Sequence, residues 1–305
     1  NVAIPNYAGG GTQARNVGEI ENKGFEFSVG GSPVAGNRFT WESNLNLSTL
    51  KNQVISLGGL SRLGTGTGVG AGMSTTNEFM LMPGEPLGSY WGLNYLGTFK
   101  QADADKAALQ GRVPGDPRYQ DLNGDNNINT DDFQIIGRAF PKMTGGWNNT
   151  FTYKGFTANI FFQGVFGVDK LNYTRAAALS GSGDARQFIL AEIRDYYRPG
   201  NETSDVPAFT KTYQPFTQSS RFLENGSFVR LKNISLVYDI PTAFLGNKVN
   251  GRIFVSGVNL WTITRYKGPD PESSNVGSGT DTAIGIDYAS YPNSKTYTLG
   301  INLSF

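Results

Sequence analysis

The chain has 305 residues with 26 Lys+Arg against 25 Asp+Glu, a net charge of +1, which excludes a general electrostatic grip on nucleic acid or on an anionic membrane surface. Cys and His are both absent, so a disulfide, a zinc cluster, a thiol nucleophile and any triad with a His base are excluded as well. Gly at 40 residues, aromatics at 12% and charged residues at only 17% describe a chain of many strands, tight turns and long loops. The opening Asn1-Val2-Ala3-Ile4-Pro5 lacks the basic start and apolar core of a signal peptide. No apolar run approaches the ~18 residues of a membrane helix, so a membrane-spanning reading requires a β-barrel.

In chain order, period-two alternation and turn residues predict nine strands: 24–33, 38–56, 77–83, 87–98, 144–154, 156–166, 228–240, 251–264 and 294–305. The last is the clearest. Tyr297, Leu299, Ile301, Leu303 and Phe305 are large and apolar, and the residues between them are small or polar. Phe25-Glu-Phe27-Ser-Val29, Trp41-Glu-Ser-Asn-Leu45-Asn-Leu47-Ser and Phe156-Thr-Ala158-Asn-Ile160 repeat the pattern. One such strand alone reads better as a sandwich strand with its apolar face inward. The connections argue otherwise. Pro33 to Asn37 and Lys154-Gly155 are short, whereas 99–143, 167–227 and 265–293 far exceed the ~15 residues usual in compact domains. Alternation of short turns with long loops is the habit of outer-membrane barrels, whose strand counts are even. Nine is odd, so further strands are expected upstream.

One helix is predicted, Asp184–Arg198, with Ile189, Ile193 and Tyr197 on one stripe that packs the longest loop. The Gly-rich stretch 58–72 lacks the Lys-Ser/Thr ending of a phosphate loop and reads as a flexible connection.

One segment carries metal chemistry. In Asp121-Leu-Asn123-Gly-Asp125-Asn-Asn127-Ile-Asn129-Thr-Asp-Asp132, oxygen ligands fall at positions 1, 3, 5, 7, 9 and 12, as in an EF-hand loop or, more closely, a dockerin calcium loop. Asp121, Asn123, Asp125 and Asp132 would offer side chains to Ca2+, and Asn127 its carbonyl. Position 6 is Asn126 rather than Gly, and position 12 is the shorter Asp. The alternative is a solvated Asn/Asp-rich turn; either way the expected role is structural stiffening. The carboxylate pairs Asp103/Asp105 and Asp270/Glu272 lack a third group to separate their pKa values, and read as solvated or hydrogen-bonded loop residues. Trp91, Tyr173, Tyr196, Tyr213 and Phe216 would stack on sugars, pack the loops or sit in the interfacial girdle; nothing in the sequence selects among the three.

The ordered motifs resemble one family. They are Asn16-Val-Gly-Glu-Ile-Glu-Asn22-Lys-Gly24-Phe-Glu26, Gly84-Glu-Pro86-Leu-Gly88-Ser-Tyr90-Trp-Gly92, Asp121–Asp125 and Asp131-Asp132-Phe-Gln-Ile-Ile-Gly137. The strongest follow: Phe228-Val-Arg230-Leu-Lys232-Asn233, running to Pro241, and Val255-Ser-Gly257-Val-Asn259-Leu260, with Tyr266-Lys-Gly268-Pro-Asp270-Pro271-Glu272 after them. Together they resemble the C-terminal third of the SusC/RagA-type TonB-dependent transporters of Bacteroidetes. That resemblance implies an all-β fold: residues 1–305 as the C-terminal part of an antiparallel transmembrane barrel of about 22 strands. Signal peptide, plug and TonB-contacting segment would lie upstream. It further implies import of a glycan or oligopeptide through the outer membrane, a SusD-like capture lipoprotein as partner, external long loops, and a periplasmic C-terminus whose Phe305 serves barrel assembly. No enzymatic activity is expected. The competing readings are a surface adhesin or carbohydrate-binding sandwich, whose apolar faces would pack inward, and an outer-membrane enzyme barrel, which the missing His disfavours.

Overall fold

The computed structural model describes residues 2–3, 12–13, 18–66, 77–179, 189–209, 218–245, 249–274 and 284–304. Its centre is a seven-stranded antiparallel sheet. The strands are β1 (Glu19–Ala35), β2 (Phe39–Ser56), β3 (Met143–Tyr153), β4 (Phe156–Phe166), β5 (Phe228–Ile240), β6 (Asn250–Thr264) and β7 (Thr296–Ser304). Each pairs with its neighbour in sequence, so the sheet is an up-and-down meander.

Register separates the two faces. One row crosses all seven strands as Val34, Trp41, Phe151, Ala158, Leu236, Val255 and Leu299. One residue along, the opposite face carries Glu42, Thr150, Asn159, Ser235, Ser256 and Thr298. Much of this apolar face is bare: Leu299 is 77% exposed, and Phe25, farther along the same face, 84%. A sandwich would cover these side chains with a second sheet. An apolar face turned outward with a polar face behind it is the pattern of a wall facing lipid. Polar groups on the apolar face are capped. The Trp41 indole donates to Asn149 Oδ1 at 3.0 Å, and that of Trp147 to Ser43 Oγ at 2.9 Å. Water would be absent there, so an uncapped group would cost several kcal/mol (roughly 2–7).

The strand connections fall into two sets. At one end they are short. Lys154 (φ 45°) and Gly155 (φ 84°) both sit in the left-handed region, the two-residue turn that matches the twist of a hairpin. At the other end run three long excursions, 57–142, 167–227 and 265–295. They share the principal apolar core of the described residues. Phe79, Tyr90 and Ala139 of the first excursion pack on Leu171, Tyr173, Ala176, Leu179 and Phe222 of the second and on Ile286 of the third. The Tyr90 hydroxyl is its tie-point, donating to Gly285 O at 2.8 Å. Asp169–Asn172 pairs antiparallel with Leu223–Asn225 and parallel with Ile286–Asp287, joining the second and third excursions.

Four expectations change. Strands are present within 77–83 and 87–98, as Phe79–Leu81, Ser89–Gly92 and Tyr95–Thr98, but they belong to small loop sheets and not to the wall. The first long excursion therefore begins at residue 57, not 99. The described part of the expected helix 184–198 is a single 3-10 turn, Ala191–Asp195; residues 184–188 lie outside the described residues. Of the apolar stripe, Ile193 lies against the loop core and Tyr197 is buried, whereas Ile189 is exposed. Short α-helices stand instead at Ala104–Leu109 and Tyr173–Leu179. In the Gly-rich stretch, Leu63–Thr65 pairs with Phe79–Leu81, while 67–72 lies outside the described residues, as do Tyr213, Phe216 and Phe305.

Candidate functional site at the junction of inner face and loops

Where the polar face meets the long excursions, three strands align side chains in one row: Gln163 of β4, Arg230 of β5 and Thr262 of β6. The register of β5 shifts between Leu231 and Asn233. This bulge changes the phase, so that Arg230 and Lys232 reach the polar side before it and Ser235 and Asp239 after it.

Arg230 is 2% exposed. Its Nη2 lies 2.5 Å from Asp270 Oδ1 and its Nη1 2.6 Å from Glu272 Oε2, and its Nε donates to Thr262 Oγ1 at 3.0 Å. Glu272 also accepts from Lys232 Nζ at 3.2 Å and from Gln163 Nε2 at 3.3 Å. Asp270 accepts the backbone N–H of Glu272 and of Asn293. Burial pushes the Asp270 carboxyl up, but the Arg230 guanidinium and these two N–H groups outweigh it and hold it below the usual carboxylate range. Beside it, Lys170 donates from Nζ to Pro271 O at 2.7 Å, and burial lowers it to about 8. Tyr266 donates to Asp287, whose Oδ2 also accepts from Ser273 Oγ; burial and that carboxylate push the phenol well up.

One of the two strongest sequence motifs and the motif at Tyr266–Glu272 thus form one physical unit. Arg230 and Lys232 of the first clamp Asp270 and Glu272 of the last, fixing the third excursion to the wall. The sequence left Asp270 and Glu272 as solvated or hydrogen-bonded loop residues; they are hydrogen-bonded, and Arg230 is the partner that the sequence did not identify. Asp103 is instead half-buried, 3.6 Å from Arg118. On the polar face of β1–β3, Glu26, Ser28, Asn46, Ser48 and Thr144 border a groove of about 540 Å³ that ends at Phe161, Gln163 and Lys232.

The proposed calcium loop lies between strands Pro117–Tyr119 and Gln134–Arg138. Asp121 accepts the N–H of Gly124 and of Asn126, and Asp125 accepts that of Asn127. Asp132, fully buried, accepts the N–H of Leu122 and of Asn129. Asn126 holds φ 61°, so Asn makes the turn that position 6 requires. Among the described residues no three acidic side chains gather as a metal group. A cation here would therefore depend on Asn123 and the Asn127 carbonyl as much as on the carboxylates, each of which keeps lone pairs beyond those its N–H donors use. Of the loop aromatics, Tyr173 is fully buried in the loop core, while Trp91 packs on Phe133 at 6.3 Å.

No family model matches the chain. TonB-dependent receptor P3 of Formosa agariphila is 37% identical over 310 residues, covering 99% of this chain and 30% of the receptor. TonB-dependent receptor P26 of the same organism is 35% identical over 312 residues. TonB-dependent receptor SusC of Bacteroides thetaiotaomicron is 25% identical over 294 residues, 95% of this chain and 27% of SusC. Among solved structures, the RagAB peptide transporter superposes with a TM-score of 0.79 at 25% identity, covering 100% of this chain and 31% of the matched chain. The chain spans about a third of the length of the relatives it matches. Its meander, its bare apolar face and these matches along nearly its whole length agree: the chain is a barrel segment of the SusC/RagA type of TonB-dependent receptor.

Proposed function

We propose that the chain forms about a third of the barrel wall, with its attached loops, of an outer-membrane importer driven through TonB. The edges of β1 and β7 have no strand partner among the described residues. Strands from the remaining two thirds of the receptor would close them, since a barrel leaves no free edge in lipid. The long excursions would face outward and the short turns the periplasm. The cargo would be a bulky nutrient, a glycan or an oligopeptide, captured with a SusD-like lipoprotein. The observation that carries this is the seven-strand meander, apolar on one bare face and polar on the other. The test is the mass of the native chain extracted from outer membranes in detergent. A chain several-fold heavier than 33.0 kDa with a co-purifying lipoprotein is expected. A native chain of that size, soluble without detergent, overturns the reading in favour of a surface binding module.

We further propose that residues 121–132 take Ca2+ through Asp121, Asn123, Asp125, Asn127 and Asp132, stiffening the first excursion. The left-handed turn at Asn126 and the ligand spacing support it. Calcium is expected to slow proteolysis within the loop at least severalfold, with EGTA reversing it and Asp125→Ala abolishing the effect. Equal cleavage with and without calcium leaves a turn held by its own hydrogen bonds.

A further inference from the structure

A second cavity, of about 440 Å³, opens among the long excursions, between Tyr95 of the first and Arg175, Glu192, residues 203–206 and Arg221 of the second. Its wall carries charges of both signs, and most are already committed. Arg175 grips Glu192 with Nε and Nη2, and reaches Glu224 with Nη1. Asp205 accepts from Lys100 Nζ at 2.9 Å, and Asp195 from Asn201 Nδ2 at 2.8 Å. Lys100 is saturated, with Thr98 Oγ1, Thr203 O and Ser204 O as its other acceptors.

Arg221 is different. Its backbone segment is pinned to the first excursion, where Ser220 N donates to Leu93 O and Ser220 Oγ accepts from Tyr95 N. Its guanidinium lies over the rings of Phe222, at 4.8 Å, and Tyr95, at 5.7 Å. Among the described residues it has neither a carboxylate within salt-bridge distance nor a hydrogen bond. Burial lowers its pKa, the sign of a cation partly stripped of water. Two rings lie against the guanidinium, and such contacts engage its charge without taking its N–H donors in conventional hydrogen bonds. Glu192 acts on Arg221 electrostatically from outside salt-bridge distance, and its own oxygens are held by Arg175, so the fork keeps donors for a bidentate oxyanion.

We propose that this cavity binds an oxyanion, a carboxylate or sulfate group, paired edge-on with Arg221. The anion supplies the hydrogen-bond acceptor that Arg221 does not find among the described residues. Binding at this point needs no energy source, so it can be measured apart from import, and failure of either reading leaves the other standing.

The experiment uses the full-length receptor in detergent, titrated calorimetrically with sodium sulfate at constant ionic strength. Saturable binding is expected, weakened at least tenfold in Arg221→Gln. Arg221→Lys, which keeps the charge and loses the fork, is expected to lie between. Val206→Trp, which narrows the cavity without touching the guanidinium, is expected to weaken binding too, and decides the matter if Arg221→Gln fails to fold. A galacturonic acid trisaccharide beside neutral maltotriose identifies the source. Tighter binding of the acidic sugar than of sulfate assigns the oxyanion to a nutrient; sulfate binding alone assigns it to a free inorganic anion. Absence of saturable sulfate binding, or equal affinity in the wild type and a folded Arg221→Gln, overturns the proposal.

Discussion

Arg230 shows how one side chain can hold a loop of about thirty residues. Its charge is affordable in a buried position because Asp270 and Glu272 meet it at 2.5 and 2.6 Å. Removing it leaves Asp270 buried without its counter-charge, which costs about 3–5 kcal/mol. Arg230→Met is therefore expected to expose 265–295 to protease while the wall stays folded, and Asp270→Asn added to it should cost much less than the sum of the two. The same cluster gives a pH dependence of known sign. Asp270 titrates below its unfolded value, so its contribution is complete above the ordinary carboxylate range, near 4, and is lost as pH falls through the lower folded value. Lys170 is opposite. Folded it titrates at about 8 against 10.5 unfolded, so the unfolded chain binds the extra proton and stability rises between those values. Hydrogen exchange of residues 266–274 against pH should show both limbs, and Lys170→Met should erase the alkaline one.

At the scale of the strand, facing decides everything. Leu299 and Thr298 are adjacent in β7 and point to opposite sides of the wall. Leu299→Lys places a cation among apolar side chains, at a cost of about 2–4 kcal/mol where the bilayer is deepest. Thr298→Lys places it on the polar face and should cost far less. Urea titration of the full-length receptor refolded into vesicles measures both; equal costs would contradict the lipid-facing assignment. The lengths agree with spanning. The shortest wall strand, β7, has 9 residues, at the lower limit for crossing a bilayer with tilt.

Across the whole molecule, the packed interior lies in the loops and not in the sheet. A barrel wall exchanges its apolar face with lipid, so the chain's core forms where three excursions meet. Tyr173, fully buried at that meeting point, ties them together. Tyr173→Ala should cost on the order of 3–5 kcal/mol, by analogy with other large aromatic truncations. Exchange protection should then fall together in 79–90, 171–179 and 286–287, with β1 and β2 unchanged. Loss confined to 171–179 would mean that the excursions fold separately.

The wall was legible in the residues because its signal is local. Alternation along Phe25–Val29 or Tyr297–Leu303 states which side each residue faces, and Lys154-Gly155 states where the chain reverses. Membership was less so. Ser89–Gly92 carries strand residues like any wall strand, and only its pairing with Gln134–Arg138 and Phe79–Leu81 puts it in a loop sheet. The stripe at Ile189, Ile193 and Tyr197 had helical spacing, yet packing against the loop core shaped a single 3-10 turn there. The candidate site was half legible. Arg230, Asp270 and Glu272 stood within the motifs, but nothing in their order joins residues 40 positions apart, and nothing set Arg221 apart from other loop arginines. Tyr90 and Gly285 meet across 195 positions. By itself the sequence determined period, turns and the facing of wall residues away from the bulges, because backbone geometry imposes these locally. Which strands join the wall, where the core lies and which charges meet were decided only by tertiary structure, because each depends on contacts between segments far apart in the chain.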